Sequence, residues 1–185
     1  MATQAPRTKV FISYSHKDRD CLERLQVFLK SLGREAAVEW WDDTMIRPGQ
    51  KWRDQIRRAL RTAKVAVLLV SQDFLSSDFI TTDELPSLLA AAENEGVVIL
   101  PVIIKPCRFK QTKSLSQFQA VNDPSKPLKK MSKVRQEDLW VKVTDEIEKA
   151  LSRPVAPPAG AGELPAASRP SRPRRRPPPR TTFIK

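Results

Sequence analysis

The segment Val65-Ala-Val-Leu-Leu-Val70 has no polar residue on either side of a strand. Such a strand needs both of its faces covered, as in a parallel sheet layered between helices. A second run, Val97-Val-Ile-Leu-Pro-Val-Ile-Ile104, has the same character. Between the two, Leu85, Leu88, Leu89 and Ala92 recur at helical spacing, with Pro86 tolerable in the first turn. The alternation holds upstream as well. Val10-Phe-Ile12 reads as a buried strand, and Leu22, Leu25, Leu29 and Leu32 mark a helix that Gly33 is expected to stop. Ala37–Trp41 reads as a second strand, and Trp52, Ile56, Leu60 and Ala63 as a second helix. Leu139, Val143, Ile147 and Leu151 mark a last one. Strands alternating with helices predict an α/β fold, a flavodoxin-like open parallel sheet with helices on both faces. The expected strand order is 2-1-3-4-5, with a short fifth strand sought among the irregular residues 106–132. In that order the ligand crevice lies at the C-terminal ends of the first and third strands.

Those two ends are the polar turns that follow Val10–Ile12 and Val65–Val70. The first gives Lys9-Val-Phe-Ile-Ser-Tyr-Ser-His-Lys-Asp18. The second gives Ser71-Gln-Asp-Phe-Leu-Ser-Ser-Asp-Phe-Ile-Thr-Thr-Asp-Glu-Leu85, which delivers one carboxylate, Glu84, to the start of a helix. A glutamate there is often only a favourable partner of the helix dipole, so its role depends on what else the chain offers.

Several chemistries are excluded by what is missing. Five glycines, at 33, 49, 96, 160 and 162, build neither a dinucleotide fingerprint nor a P-loop. A single histidine, His16, leaves no histidine-based metal site and no attractive serine triad. Cys21 and Cys107 are too few for a disulfide framework or a cysteine zinc site and read as inert. No apolar run reaches the ~18–20 residues of a membrane span, and the first residues lack the apolar stretch of a secretory signal. The expectation is a cytoplasmic domain over residues 8–152.

Residues 153–185 read differently. More than half of the sixteen prolines fall there, with eight Lys/Arg against Glu163 and few large apolar side chains. This accounts for much of the net charge of +12, and the composition predicts a disordered C-terminal tail. Its run Arg169–Arg180 could contact nucleic acid or an anionic surface by charge, dock its prolines on a groove, or simply stay solvated.

The two polar turns, with Trp41-Asp-Asp-Thr-Met-Ile-Arg-Pro-Gly-Gln-Lys-Trp52 between them, resemble three signatures of the Toll/interleukin receptor (TIR) domain family, in the right order. The middle segment is similar to the family's BB loop. The later segments Val97–Cys107 and the helix around Trp140 resemble stand-alone prokaryotic members. The resemblance implies one of two functions. Some TIR domains cleave NAD+ at the nicotinamide–ribose bond, giving ADP-ribose or cyclic isomers, in bacterial signalling, defence or virulence. Others are non-catalytic modules that recruit further TIR domains.

Carried over residue by residue, Glu84 is the catalytic position. Tyr14, Ser15 and His16 line the nucleotide, and Asp42, Arg47 and Trp52 approach from the BB loop and the helix after it. Ile80 stands where several enzymatic relatives place an aromatic ring, with Phe79 beside it. NAD+ is then the substrate; no cofactor or metal is implied. The plainer readings are that Trp52 belongs to the apolar stripe Trp52-Ile56-Leu60, and that His16 and Asp42 are ordinary loop residues. The resemblance also implies self-association through loop 42–51, where Met45 and Ile46 flank a Pro48-Gly49 turn.

One carboxylate is enough for the implied chemistry. Nicotinamide in NAD+ is a pyridinium cation and leaves as a neutral base. The general acid that an ordinary glycoside needs has no counterpart here. A single anion can stabilise the positive charge that develops at the anomeric carbon.

Overall fold

The computed structural model describes residues 8–36, 38–42, 51–81 and 84–153. Arg47, most of the BB loop and the tail from 154 onwards lie outside the described residues. Four strands form one parallel sheet: β1 (Lys9–Ser13), β2 (Glu39–Trp41), β3 (Ala63–Val70) and β4 (Val98–Ile103), in the order β2-β1-β3-β4. The main helices are α1 (Arg19–Ala36), α2 (Trp52–Thr62), α5 (Glu84–Asn94) and α7 (Lys133–Ser152). Three single-turn helices, α3 (Gln72–Leu75), α4 (Asp78–Thr81) and α6 (Lys113–Ser116), lie between them. Among the described residues no helix is long and apolar enough to cross a membrane.

The period-2 geometry of a strand divides the core in two. On β3, Ala66, Leu68 and Val70 face a cluster with Ile56 and Leu60 of α2 and Leu85 and Leu89 of α5. Val65, Val67 and Leu69 face the other cluster, with Leu22, Leu25 and Leu29 of α1 and Trp140, Val143 and Ile147 of α7. Both faces of the sheet are therefore covered, as the apolar runs predict. Trp41 stacks on Phe11 with centroids 5.5 Å apart and an interplanar angle of 11°. Lys9 pairs with Glu39 at 2.8 Å where β1 and β2 are in register.

Two expectations need correcting. Gly33 does not stop α1, which continues to Ala36. A glycine within a helix costs only about 1 kcal/mol relative to alanine, and the buried stripe of Leu22, Leu25 and Leu29 offsets that cost. The helix that does end on glycine is α5. Gly96 takes φ +88°, Val97 N–H donates to the Ala92 carbonyl at 3.0 Å, and Gly96 N–H donates to the Glu93 carbonyl at 2.8 Å. This is the left-handed cap that glycine reaches without strain.

The second correction concerns the fifth strand. Among the described residues the sheet has four strands, and residues 106–132 contain only helical turns and loops. A side chain occupies the edge of β4 instead. Asn122 Oδ1 accepts from Ile103 N–H at 2.9 Å, while its Nδ2 donates to the Ile103 carbonyl at 3.0 Å and to the Lys126 carbonyl at 3.0 Å. Val121 N–H donates to the Pro101 carbonyl at 2.8 Å, and Lys129 N–H to the Ile104 carbonyl at 2.9 Å. One amide side chain thus satisfies both backbone groups of a fully buried residue. Asn122→Ala should destabilise the domain by about 2–4 kcal/mol, because a stranded backbone donor and acceptor each cost about 1–3 kcal/mol. Urea unfolding at unchanged m-value checks this, and a shift below about 0.5 kcal/mol would contradict the edge-capping role.

Candidate active site

The parallel sheet brings the C-terminal ends of all four strands to one edge. Tyr14, Ser15 and His16 follow β1 there, and Asp42 follows β2. The segment from Ser71 follows β3 and leads through α3 and α4 to Glu84, the first residue of α5. Trp52 opens α2, at the end of the loop that leaves the same edge. The described residues of the expected site therefore belong to connections that start from one end of the sheet. Arg47 lies outside the described residues.

Their surroundings differ. Tyr14 is buried against the α1/α7 side of the sheet, and His16 meets its ring edge-on at 5.7 Å between centroids. Ser15 precedes a 3-10 turn over His16–Asp18, closed by Asp18 N–H donating to the Ser15 carbonyl at 2.7 Å. Asp42 is fully buried and accepts from Gln26 Nε2 of α1 at 3.0 Å, which ties the exit of β2 to that helix. Ile80 is a core residue at 4% exposure, packed in the same cluster as Leu85 and Leu89.

Two of the residues that join these connections, Asp18 and Lys105, were not singled out from the sequence. Asp18 is fully buried at the end of the first turn. Its Oδ2 accepts from Ser71 Oγ at 2.5 Å, and its Oδ1 faces Lys105 Nζ at 2.5 Å. Ser71, also fully buried, accepts from Phe74 N–H at 3.1 Å and so caps α3. Lys105 follows β4 and lies 4.0 Å from Asp73, which pairs with Lys17 at 3.1 Å. The hydrogen bond to Asp18 pushes the Lys105 ammonium above its ordinary pKa, outweighing desolvation. One carboxylate therefore joins the exits of β1, β3 and β4. A signal for one of these residues was present: Lys105 directly follows the apolar run Val97–Ile104, at the edge where a parallel sheet brings distant segments together.

Cys21 belongs to the core, and burial pushes its thiol up to about 11, which suits the inert role expected of it. Burial also raises the Cys107 thiol. Among the described residues no group of His, Cys, Asp or Glu side chains is placed to hold a metal ion.

A sequence model of the TIR domain matches residues 10–133. The chain belongs to the TIR-domain family. Over 98 residues this TIR protein is 32% identical to the 2' cyclic ADP-D-ribose synthase AbTIR of Acinetobacter baumannii, an overlap of 52% of this chain and 35% of that protein. Over 101 residues it is 30% identical to the NAD(+) hydrolase PdTIR of Paracoccus denitrificans, covering 54% and 32%. A longer match, 28% identical over 165 residues, is to the uncharacterised protein y4lF of Sinorhizobium fredii, covering 86% and 50%. The chain spans half or less of the length of these relatives.

Proposed function

We propose that this TIR domain is an NAD+ glycohydrolase, cleaving the nicotinamide–ribose bond to release nicotinamide and ADP-ribose in linear or cyclic form. The observation that carries the reading is the position of Glu84. A glutamate opens a helix in the connection that leaves the C-terminal edge of a doubly covered parallel sheet, in a chain related to proteins named for NAD+ hydrolysis and for cyclic ADP-ribose synthesis. The first turn of a helix keeps a carboxylate ionised. An ionised carboxylate suits a reaction in which the leaving group departs neutral and positive charge grows on the ribose. In this reading Tyr14, Ser15 and His16 face the nucleotide, Arg47 and Trp52 close on it from the BB loop side, buried Asp42 anchors the exit of β2 to α1, and Ile80 supports the arm that carries Glu84.

The direct test incubates the purified protein with NAD+ at high protein concentration and resolves the products by chromatography. Nicotinamide should appear in step with NAD+ loss, and the second product distinguishes hydrolysis from cyclisation. NAD+ that survives undiminished over a range of protein concentrations would remove the glycohydrolase reading and leave a TIR domain that acts by pairing.

Assembly belongs to the same proposal. Met45 and Ile46, close in sequence to Pro48-Gly49, give segment 42–51 the apolar side chains that a contact between copies uses. A head-to-tail contact of that kind builds open arrays. Specific activity should therefore rise with protein concentration, and Ile46→Asp should abolish the rise without unfolding the domain. Constant specific activity from a protein that light scattering finds monomeric throughout would refute it.

A further inference from the structure

Asp18 touches both halves of the candidate site but is absent from every role assigned so far. It ends the turn that holds Tyr14, Ser15 and His16, and it is fully buried. A carboxylate taken out of water must be met by donors at both oxygens. Ser71 donates to one, and the Lys105 ammonium forms an ion pair with the other. Ser71 has a single hydroxyl proton. Because that proton is given to Asp18, the oxygen lone pairs stay available to Phe74 N–H. The consequence passes along the chain. Phe74 N–H fixes α3, and the Phe74 carbonyl accepts from Ser77 Oγ at 2.8 Å. The Ser77 carbonyl then accepts from Ile80 N–H at 3.0 Å. Phe74, Leu75 and Ile80 are buried in the same cluster as Leu85, next to Glu84 on α5.

We infer that Asp18 is the positioning residue of the site, a buried clamp that uses Ser71 and Lys105 to hold the arm carrying Glu84 in register with the nucleotide-facing turn after β1. This deepens the glycohydrolase reading and rests on it for its catalytic meaning. Asparagine has nearly the same shape as aspartate but only one oxygen. It can accept from Ser71 or face Lys105, and its amide nitrogen is then directed at the other donor. Asp18→Asn should therefore loosen the arm without emptying the core. A displacement of about 1 Å at a catalytic group costs on the order of 10²-fold in rate. Asp18→Asn should lower kcat by at least about tenfold while KM changes little.

The experiment uses the full chain and five variants, with two independent readouts. In the kinetic readout Asp18→Asn and Ser71→Ala both lower kcat, and the double variant is no worse than the poorer single one, as expected of partners in one linkage. Lys105→Arg retains more activity than Lys105→Met. In the second readout, amide hydrogen exchange in Asp18→Asn speeds up across residues 74–85, while Val67 and Leu69 of β3 stay as protected as in the wild type. A merely structural role would raise exchange everywhere and leave kcat of the folded fraction unchanged, and either result overturns the inference. Additive effects of Asp18→Asn and Ser71→Ala also overturn it. If wild-type protein does not consume NAD+, the glycohydrolase reading fails and the exchange measurement decides the clamp alone: unchanged protection over 74–85 in Asp18→Asn rejects it.

Discussion

Glu84→Ala abolishes NAD+ consumption while the unfolding transition moves by only a few degrees. Both halves of this expectation follow from the place of Glu84. Electrostatic groups aimed at developing charge contribute about 10²–10³ in kcat when removed singly. No second carboxylate has been assigned to the reaction, so the loss should reach at least the upper end of that range. A first-turn carboxylate contributes only about 0.3–1 kcal/mol to its helix, and α5 is held by Leu85 and Leu89, both fully buried. Glu84→Gln keeps the size and loses the charge, so it should be nearly as inactive as the alanine variant. Time courses of NAD+ loss, run beside thermal melts, separate the two effects. Wild-type turnover indistinguishable from that of Glu84→Ala would remove Glu84 from the mechanism.

The opposite profile is expected at Trp140. Its side chain is 2% exposed, among the largest buried groups of the domain, in the cluster that joins α1 and α7 to the sheet. Truncation of a buried tryptophan to alanine costs about 3–5 kcal/mol. Set against a total stability of about 5–15 kcal/mol, Trp140→Ala should leave a protein that melts far below the wild type. Any activity should be lost in proportion to the unfolded fraction, with kcat per folded molecule preserved. Denaturant unfolding monitored by circular dichroism measures the change, and a loss under about 1 kcal/mol would mean that the α1–α7 layer is not a principal support of the fold.

These two residues also mark how far the sequence could be read. Leu69 and the leucine stripes were legible because their burial follows from periodicity, a property of neighbouring residues, whereas Trp140, beside the stripe Leu139-Val143-Ile147, was not singled out as core. The order of β1 to β4 was legible because right-handed crossovers leave few choices. The reading failed where a single side chain overrides the local pattern. Gly33 looks like a helix stop, yet tertiary packing carries α1 past it. The expected fifth strand does not form, because Asn122 supplies the hydrogen bonds a neighbouring strand would have supplied. The one-turn helices α3 and α4 depend on caps such as Ser71 Oγ, which no periodicity announces. Within the candidate site, the helix start at Glu84 was legible from the pattern, while its role came only from the family resemblance. Asp18 and Lys105 were not paired in the sequence reading, because their contact exists only after β1 and β4 enter one sheet.

The end of α7 has a consequence for how the domain can be joined to anything else. Lys64, near the start of β3, donates its ammonium to the carbonyls of Leu151 and Arg153. Whatever follows residue 153 therefore departs from a fixed point near the N-terminal ends of the strands. The candidate site opens at the C-terminal ends, about 25 Å away along an eight-residue strand. A fluorescent protein, an affinity handle or a surface-immobilising linker attached after residue 153 would start on the far side of the molecule from Glu84. A reporter joined directly after residue 153 starts clear of the mouth of the site, whereas one inserted ahead of α2 or α5 would start beside it.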